Sequence, residues 1–110
     1  MPNVKIFIDE DLYAERKEQI KGMLPSLRET LCETLSVGAA ACQLAVIPVL
    51  GLPDQPLANM EFQYLGTESR TPDFIRGLCT QYRNILEGVL GCVPAVRATP
   101  LDVNTYVAVK

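Results

Sequence analysis

A chain of 110 residues has room for one domain with a single core and not for two. Its 48% apolar and 21% charged residues are those of a globular protein, and a net charge of −3 without a Lys/Arg cluster excludes nucleic acid as the main partner. The absence of histidine leaves little material for a zinc site and removes Ser-His-Asp triads and the usual general base.

The chain opens on a strand, because Val4, Ile6 and Ile8 alternate with Lys5, Phe7 and Asp9. Pro2 stands at its start, a place where the missing N–H costs nothing. It has a second reading. If an aminopeptidase removes Met1, Pro2 becomes a free secondary amine on a rigid element, an acid or base without a side chain. Lys5, Asp9, Glu10 and Asp11 come too early for the apolar stretch of a signal peptide, and no run is long enough for a membrane span. A cytoplasmic protein with no membrane partner is expected.

A helix comes next, over about 11–35, with Ile20, Leu24, Leu27, Leu31 and Leu35 as its apolar stripe. Gly22 and Pro25 predict a kink within it, and Gly38 and the alanines after it mark its end. Residues 43–50 are apolar without alternation and read as a buried strand of a parallel sheet covered by helices. Residues 51–57, with two prolines, form a connection. Met60, Phe62 and Tyr64 then alternate with Glu61, Gln63 and Leu65 to give a third strand.

The second helix is well signalled by Thr71 as N-cap, Pro72 in the first position and Asp73 in the first turn. Phe74, Leu78, Tyr82, Ile85 and Val89 form its expected buried stripe, and Gly91 its stop. Residues 94–101 read as a fourth strand and 105–109 as a short fifth. Cys32, Cys42, Cys79 and Cys92, at spacings of 10, 37 and 13, offer no CxxC pair and read as buried thiols.

The fold class is therefore α/β in one domain, with two fused β-α-β units over roughly 2–50 and 59–101. They form a four-stranded mixed sheet with two helices on one face, plus a short C-terminal strand. Phe7, Gln63 and Leu65 are not polar enough for the bare face, so subunits are expected to cover it, as a closed homotrimer.

The chain resembles the tautomerase superfamily, which includes 4-oxalocrotonate tautomerase, 5-(carboxymethyl)-2-hydroxymuconate isomerase, malonate semialdehyde decarboxylase and macrophage migration inhibitory factor. The likeness spans nearly the whole chain as an architecture. It rests on Met1-Pro2 leading into Val4-x-Ile6-x-Ile8, on the Leu24/Leu27/Leu31/Leu35 stripe before Leu44-Ala45-Val46, and on Leu101-Asp102-Val103-Asn104. It implies a tautomerase-like α+β fold, an amino-terminal proline as the reactive group at Pro2, and a trimer.

The arginines that clamp dicarboxylates in the family are missing from the first half. Asp9-Glu10-Asp11 and Gln43 stand in their regions, with Arg16 only nearby, and Ala39 or a neighbour replaces a lysine before the second strand. The second half keeps candidates. Arg70, in the loop after the third strand, reads as an anion clamp for Pro2 or as a loop residue paired with Asp73. Arg97 on the fourth strand reads as a further clamp or as the partner of Glu61, and Asn104 as a pocket donor or a turn residue.

The resemblance thus implies proton transfer on a small anionic keto or enol acid, with Pro2 as base or acid. The alternatives are a non-catalytic binding trimer, and a decarboxylase or hydratase acting on a three-carbon acid. No glycine-rich phosphate loop and no metal-ligand cluster occurs, so no cofactor is expected.

Overall fold

The structure, a computed structural model, describes residues 2–110; Met1, whose removal frees Pro2, lies outside the described residues. Strand β1 (Asn3–Asp9) sits inside a four-stranded sheet ordered β2-β1-β3-β4, with β2 at Gln43–Val49, β3 at Ala58–Leu65 and β4 at Ala95–Leu101. β1 and β2 are parallel, as are β3 and β4, while the central β1–β3 pair is antiparallel. Each parallel pair is joined by one helix, α1 (Glu10–Leu35) and α2 (Pro72–Leu90) respectively.

Alternation decides which face is covered. Val4, Ile6 and Ile8 of β1 and Met60, Phe62 and Tyr64 of β3 are buried in one core with Leu27 and Leu31 of α1 and Tyr82 and Leu86 of α2. The Phe62 and Tyr82 rings meet edge to face at 5.6 Å. The intervening residues, Lys5, Phe7, Glu61 and Gln63, occupy the other face. The four-stranded mixed sheet with two helices on one face is thus the architecture expected from the sequence.

Besides Leu24 of α1, which is half-buried while its neighbour Met23 is buried, four details differ. No strand forms over 105–109. Instead the Asp102 carbonyl accepts from the N–H groups of Thr105 (3.1 Å) and Tyr106 (2.9 Å), turning the chain after β4. Alternation supplies a face for a strand but not a neighbour to pair with.

The α1 kink falls at Arg16 (φ −114°, ψ 19°) and not at Gly22 or Pro25. Pro25 lies on the exposed side, where water can take the carbonyl its ring leaves without a donor. β2 is half-exposed because it is an edge strand, and Pro48 within it was the sequence signal for an edge.

Finally, the buried stripe of α2 is Ile75, Leu78, Tyr82, Leu86 and Leu90, with Phe74 41% exposed. The expected stripe kept Leu78 and Tyr82 and was one position off elsewhere. Phe74-Ile75, Ile85-Leu86 and Val89-Leu90 are adjacent apolar pairs, so helical spacing alone does not choose which member of each is covered. No helix of the described residues is long and apolar enough to cross a membrane.

Candidate functional site

Pro2 is buried, and its carbonyl accepts from the Gln43 N–H at 3.1 Å, extending the parallel β1–β2 pairing one residue beyond β1. The antiparallel centre of the sheet brings four chain points to this one end: the start of β1, the start of β2 and the ends of β3 and β4. Pro2 lines a cavity of about 280 Å³ there, together with Asn3, Gln43 and residues 106–110, Tyr106 and Lys110 included. The turn at Asp102 is what sends 106–110 back across the sheet end. The residues around Pro2 in this cavity include the carboxamides Asn3 and Gln43, a phenol, Tyr106, and an amine, Lys110.

Arg70 follows β3 at the same sheet end but lies outside that cavity. Its Nη1 donates to the Leu65 carbonyl and its Nη2 to the Leu35 carbonyl, both at 2.7 Å, so it ties the end of β3 to the last residue of α1. Its expected partner Asp73 pairs with Arg76 at 3.2 Å on the surface. Arg16 does the matching job in the other unit, donating from Nη1 to the Val89 carbonyl near the end of α2 at 3.0 Å. Neither helix has a basic residue in its last turn, and each carbonyl end receives an arginine from the other half of the chain.

Arg97 is exposed on the helix-free face, where it lies in register with Glu61, itself in register with Lys5. These three line a separate cavity of about 420 Å³ with Phe7 and Gln63. Asn104 sits exposed in the turn after β4 and donates its backbone N–H to Asp102 Oδ1 at 2.9 Å, the turn position offered as its plainer reading. Within one chain, then, Pro2 is not joined in its cavity by Arg70, Arg97 or Asn104.

The residues that do join it, Tyr106 and Lys110, carried no motif. The available signal was topological: Asp102 and Asn104 reverse the chain at the end of β4, which is the sheet end that holds Pro2.

The four thiols are free, and of those expected to be buried only Cys42 is; Cys32, Cys79 and Cys92 are half-buried. Burial, and then the neighbouring Cys32, push Cys42 up to about 11, and burial raises Cys79 and Cys92 as well, which keeps these thiols protonated and poorly nucleophilic near neutrality. Among the described residues no group of His, Cys, Asp and Glu could hold a metal ion.

The sequence matches no family model and no curated protein. Solved structures match the fold. A macrophage migration inhibitory factor-like protein from Entamoeba histolytica is 17% identical, with 97% of this chain and 94% of that one covered at a TM-score of 0.73. A fused 4-OT wild-type asymmetric trimer is 13% identical, with 96% and 90% covered at 0.74. A malonate semialdehyde decarboxylase inhibited by 3-bromopropiolate is 13% identical, with 94% and 86% covered at 0.63. The tautomerase-like fold implied by the resemblance is the fold found.

Proposed function

We propose that the chain is a cofactor-independent isomerase of small keto or enol carboxylic acids, with Pro2 as its proton-transfer group once Met1 is removed. The observation that carries this reading is the placement of Pro2, buried at the start of β1 and lining a cavity. Burial disfavours an ammonium ion, so a secondary amine in such a place is neutral nearer to pH 7 than a free one. The neutral nitrogen takes the proton from the carbon beside the substrate carbonyl, leaving an enolate whose oxygen is then protonated. The reverse transfer makes the ketone from the enol. Arg70, committed to two carbonyls, enters no step here and acts as a positioning residue.

We further propose a homotrimer. The uncovered sheet face carries Phe7, Ile47 and Leu65, and the buried Asn59 Oδ1 has no partner among the described residues. The engagement of Arg70 also favours a second reading, a trimer that binds a ligand without turning it over.

Intact mass of the protein from its own host, followed by phenylpyruvate ketonisation, separates the two. Loss of Met1 and a drop of about a hundredfold or more in Pro2→Ala are expected. Full retention of Met1, or equal rates in parent and variant, overturns the assignment of Pro2.

A further inference from the structure

Two of the four thiols meet in the fold. Cys32 lies on the last turn of α1, where its carbonyl accepts from the Val37 N–H at 3.0 Å. The chain then turns through the short helical segment Ala39–Ala41, which returns Cys42 to the start of β2. There the Cys42 thiol is hydrogen-bonded to the Cys32 side chain. Arg28 stands one helical turn before Cys32, on the same side of α1, and its charge favours the Cys42 thiolate. Arg28, Lys21 and Cys42 line a groove of about 590 Å³ between α1 and β2, and no carboxylate lines it. Among the described residues no second thiol acts on Cys79 or Cys92 in this way.

We propose that Cys32 and Cys42 form a thiol–disulfide exchange site, closing to a disulfide when a small anionic disulfide such as glutathione disulfide is the oxidant. The groove gives such a molecule room beside the pair, and its two cations attract it. Cys32 is half-buried and Cys42 only 5% exposed, so Cys32 reacts first. The Cys32 thiolate attacks one sulfur of the oxidant, whose S–S bond breaks and releases one thiolate. Cys42 then gives up its proton, attacks the Cys32 sulfur and expels the second thiolate. Two protein thiols are oxidised, one disulfide is reduced to two thiols, and the leaving thiolates take up the two protons. Burial holds Cys42 protonated near neutrality, so the second step is the slow one. The new bond ties the end of α1 to the residue before Gln43, whose N–H donates to the Pro2 carbonyl. It therefore restrains one wall of the Pro2 cavity, but it does not depend on Pro2 transferring a proton.

The reduced protein is incubated with glutathione disulfide, the remaining thiols are alkylated, and intact mass and a peptide map are read. The parent is expected to lose two hydrogens, with the link mapped to Cys32 and Cys42. Cys79→Ser gives the same link. Cys42→Ala stops at the first step, carrying one glutathionyl group on Cys32, and Cys32→Ser forms no internal link. The linked parent melts higher than the reduced one by about 5 °C, since the bond restrains the unfolded chain, and dithiothreitol reverses the shift.

A parent that keeps all four thiols, that stops with glutathione attached, or whose link involves Cys79, Cys92 or a second chain overturns the proposal. The map of the parent decides this even if a variant at the buried Cys42 fails to fold. Ketonisation plays no part in the readout, so failure of the Pro2 reading leaves the thiol pair standing, and failure of the pair leaves Pro2 untouched.

Discussion

Arg70 donates to carbonyls 5 and 35 residues away along the chain, one at the end of β3 and one on the last residue of α1. Arg70→Ala is expected to cost about 2 kcal/mol, because it removes two charge-assisted bonds and leaves the last carbonyl of α1 without its donor. Arg70→Lys restores less than half, since a point donor does not bridge two carbonyls. Arg76→Ala, by contrast, stays within about 0.5 kcal/mol because its ion pair is on the surface. Urea midpoints at unchanged slope measure all three. In the sequence the same Arg70 is a loop cation between a strand and a helix, free in appearance to meet a substrate. Nothing local to it reports Leu35, so its role was not legible there.

Tyr82 gives a second residue-scale expectation. It is fully buried, its hydroxyl bonded to that of Thr34, and burial pushes it from its ordinary value of 10 up to about 12 against the lowering effect of that bond. The folded group holds its proton to higher pH than the unfolded one. Its contribution is therefore intact below pH 10 and is lost as pH rises toward about 12. Stability should fall across that window in the parent and fall less steeply in Tyr82→Phe. Identical slopes in the two proteins would exclude Tyr82 as the cause.

At the scale of elements, the boundaries were readable where one residue type fits one backbone state. Thr71 caps α2 by accepting from the Phe74 N–H at 3.2 Å, and Gly91 ends it at φ 72°. Both were visible in the sequence. The start of α1 was less so, because Asp9, Glu10 and Asp11 are all acceptable there. Asp9 proves to be the cap, accepting from Asp11 at 3.1 Å and Leu12 at 3.3 Å.

The end of α1 was masked altogether, since its left-handed residue is Ser36 (φ 55°) where glycine is usual. Ser36→Gly is accordingly expected to stabilise the protein by up to about 1 kcal/mol. Gly91→Ala is expected to destabilise it by at least as much. The alanine would have the disfavoured backbone conformation, and its Cβ would stand 3.1 Å from Arg16 Nη2, on the guanidinium whose Nη1 donates to the Val89 carbonyl. Opposite shifts of the thermal midpoint are the check; shifts of the same sign would refute this account of the two helix ends.

At the scale of the whole molecule, one covered and one bare sheet face give a slab of 41 × 26 × 22 Å. The bare face was legible in Phe7 and Leu65, while the course of 106–110 was not, because it depends on which sheet end β4 reaches. The face is not uniform. A charged row of Lys5, Glu61 and Arg97 crosses it, whereas Phe7 and Ile47 are neighbours toward the unpaired edge of β2, with exposed Leu50 and Leu52 beyond. An unpaired edge flanked by apolar side chains is the part of the molecule that most needs a neighbour, and in the proposed trimer the next subunit meets it there. A charge at Ile47 should therefore separate the subunits without disturbing the helix side of the sheet. Light scattering is expected to give three chains per particle for the parent and one for Ile47→Glu, with equal helical circular dichroism. Gln81→Glu, on the exposed side of α2, keeps the trimer. A monomeric parent, or an Ile47→Glu protein that remains trimeric, would place the interface elsewhere.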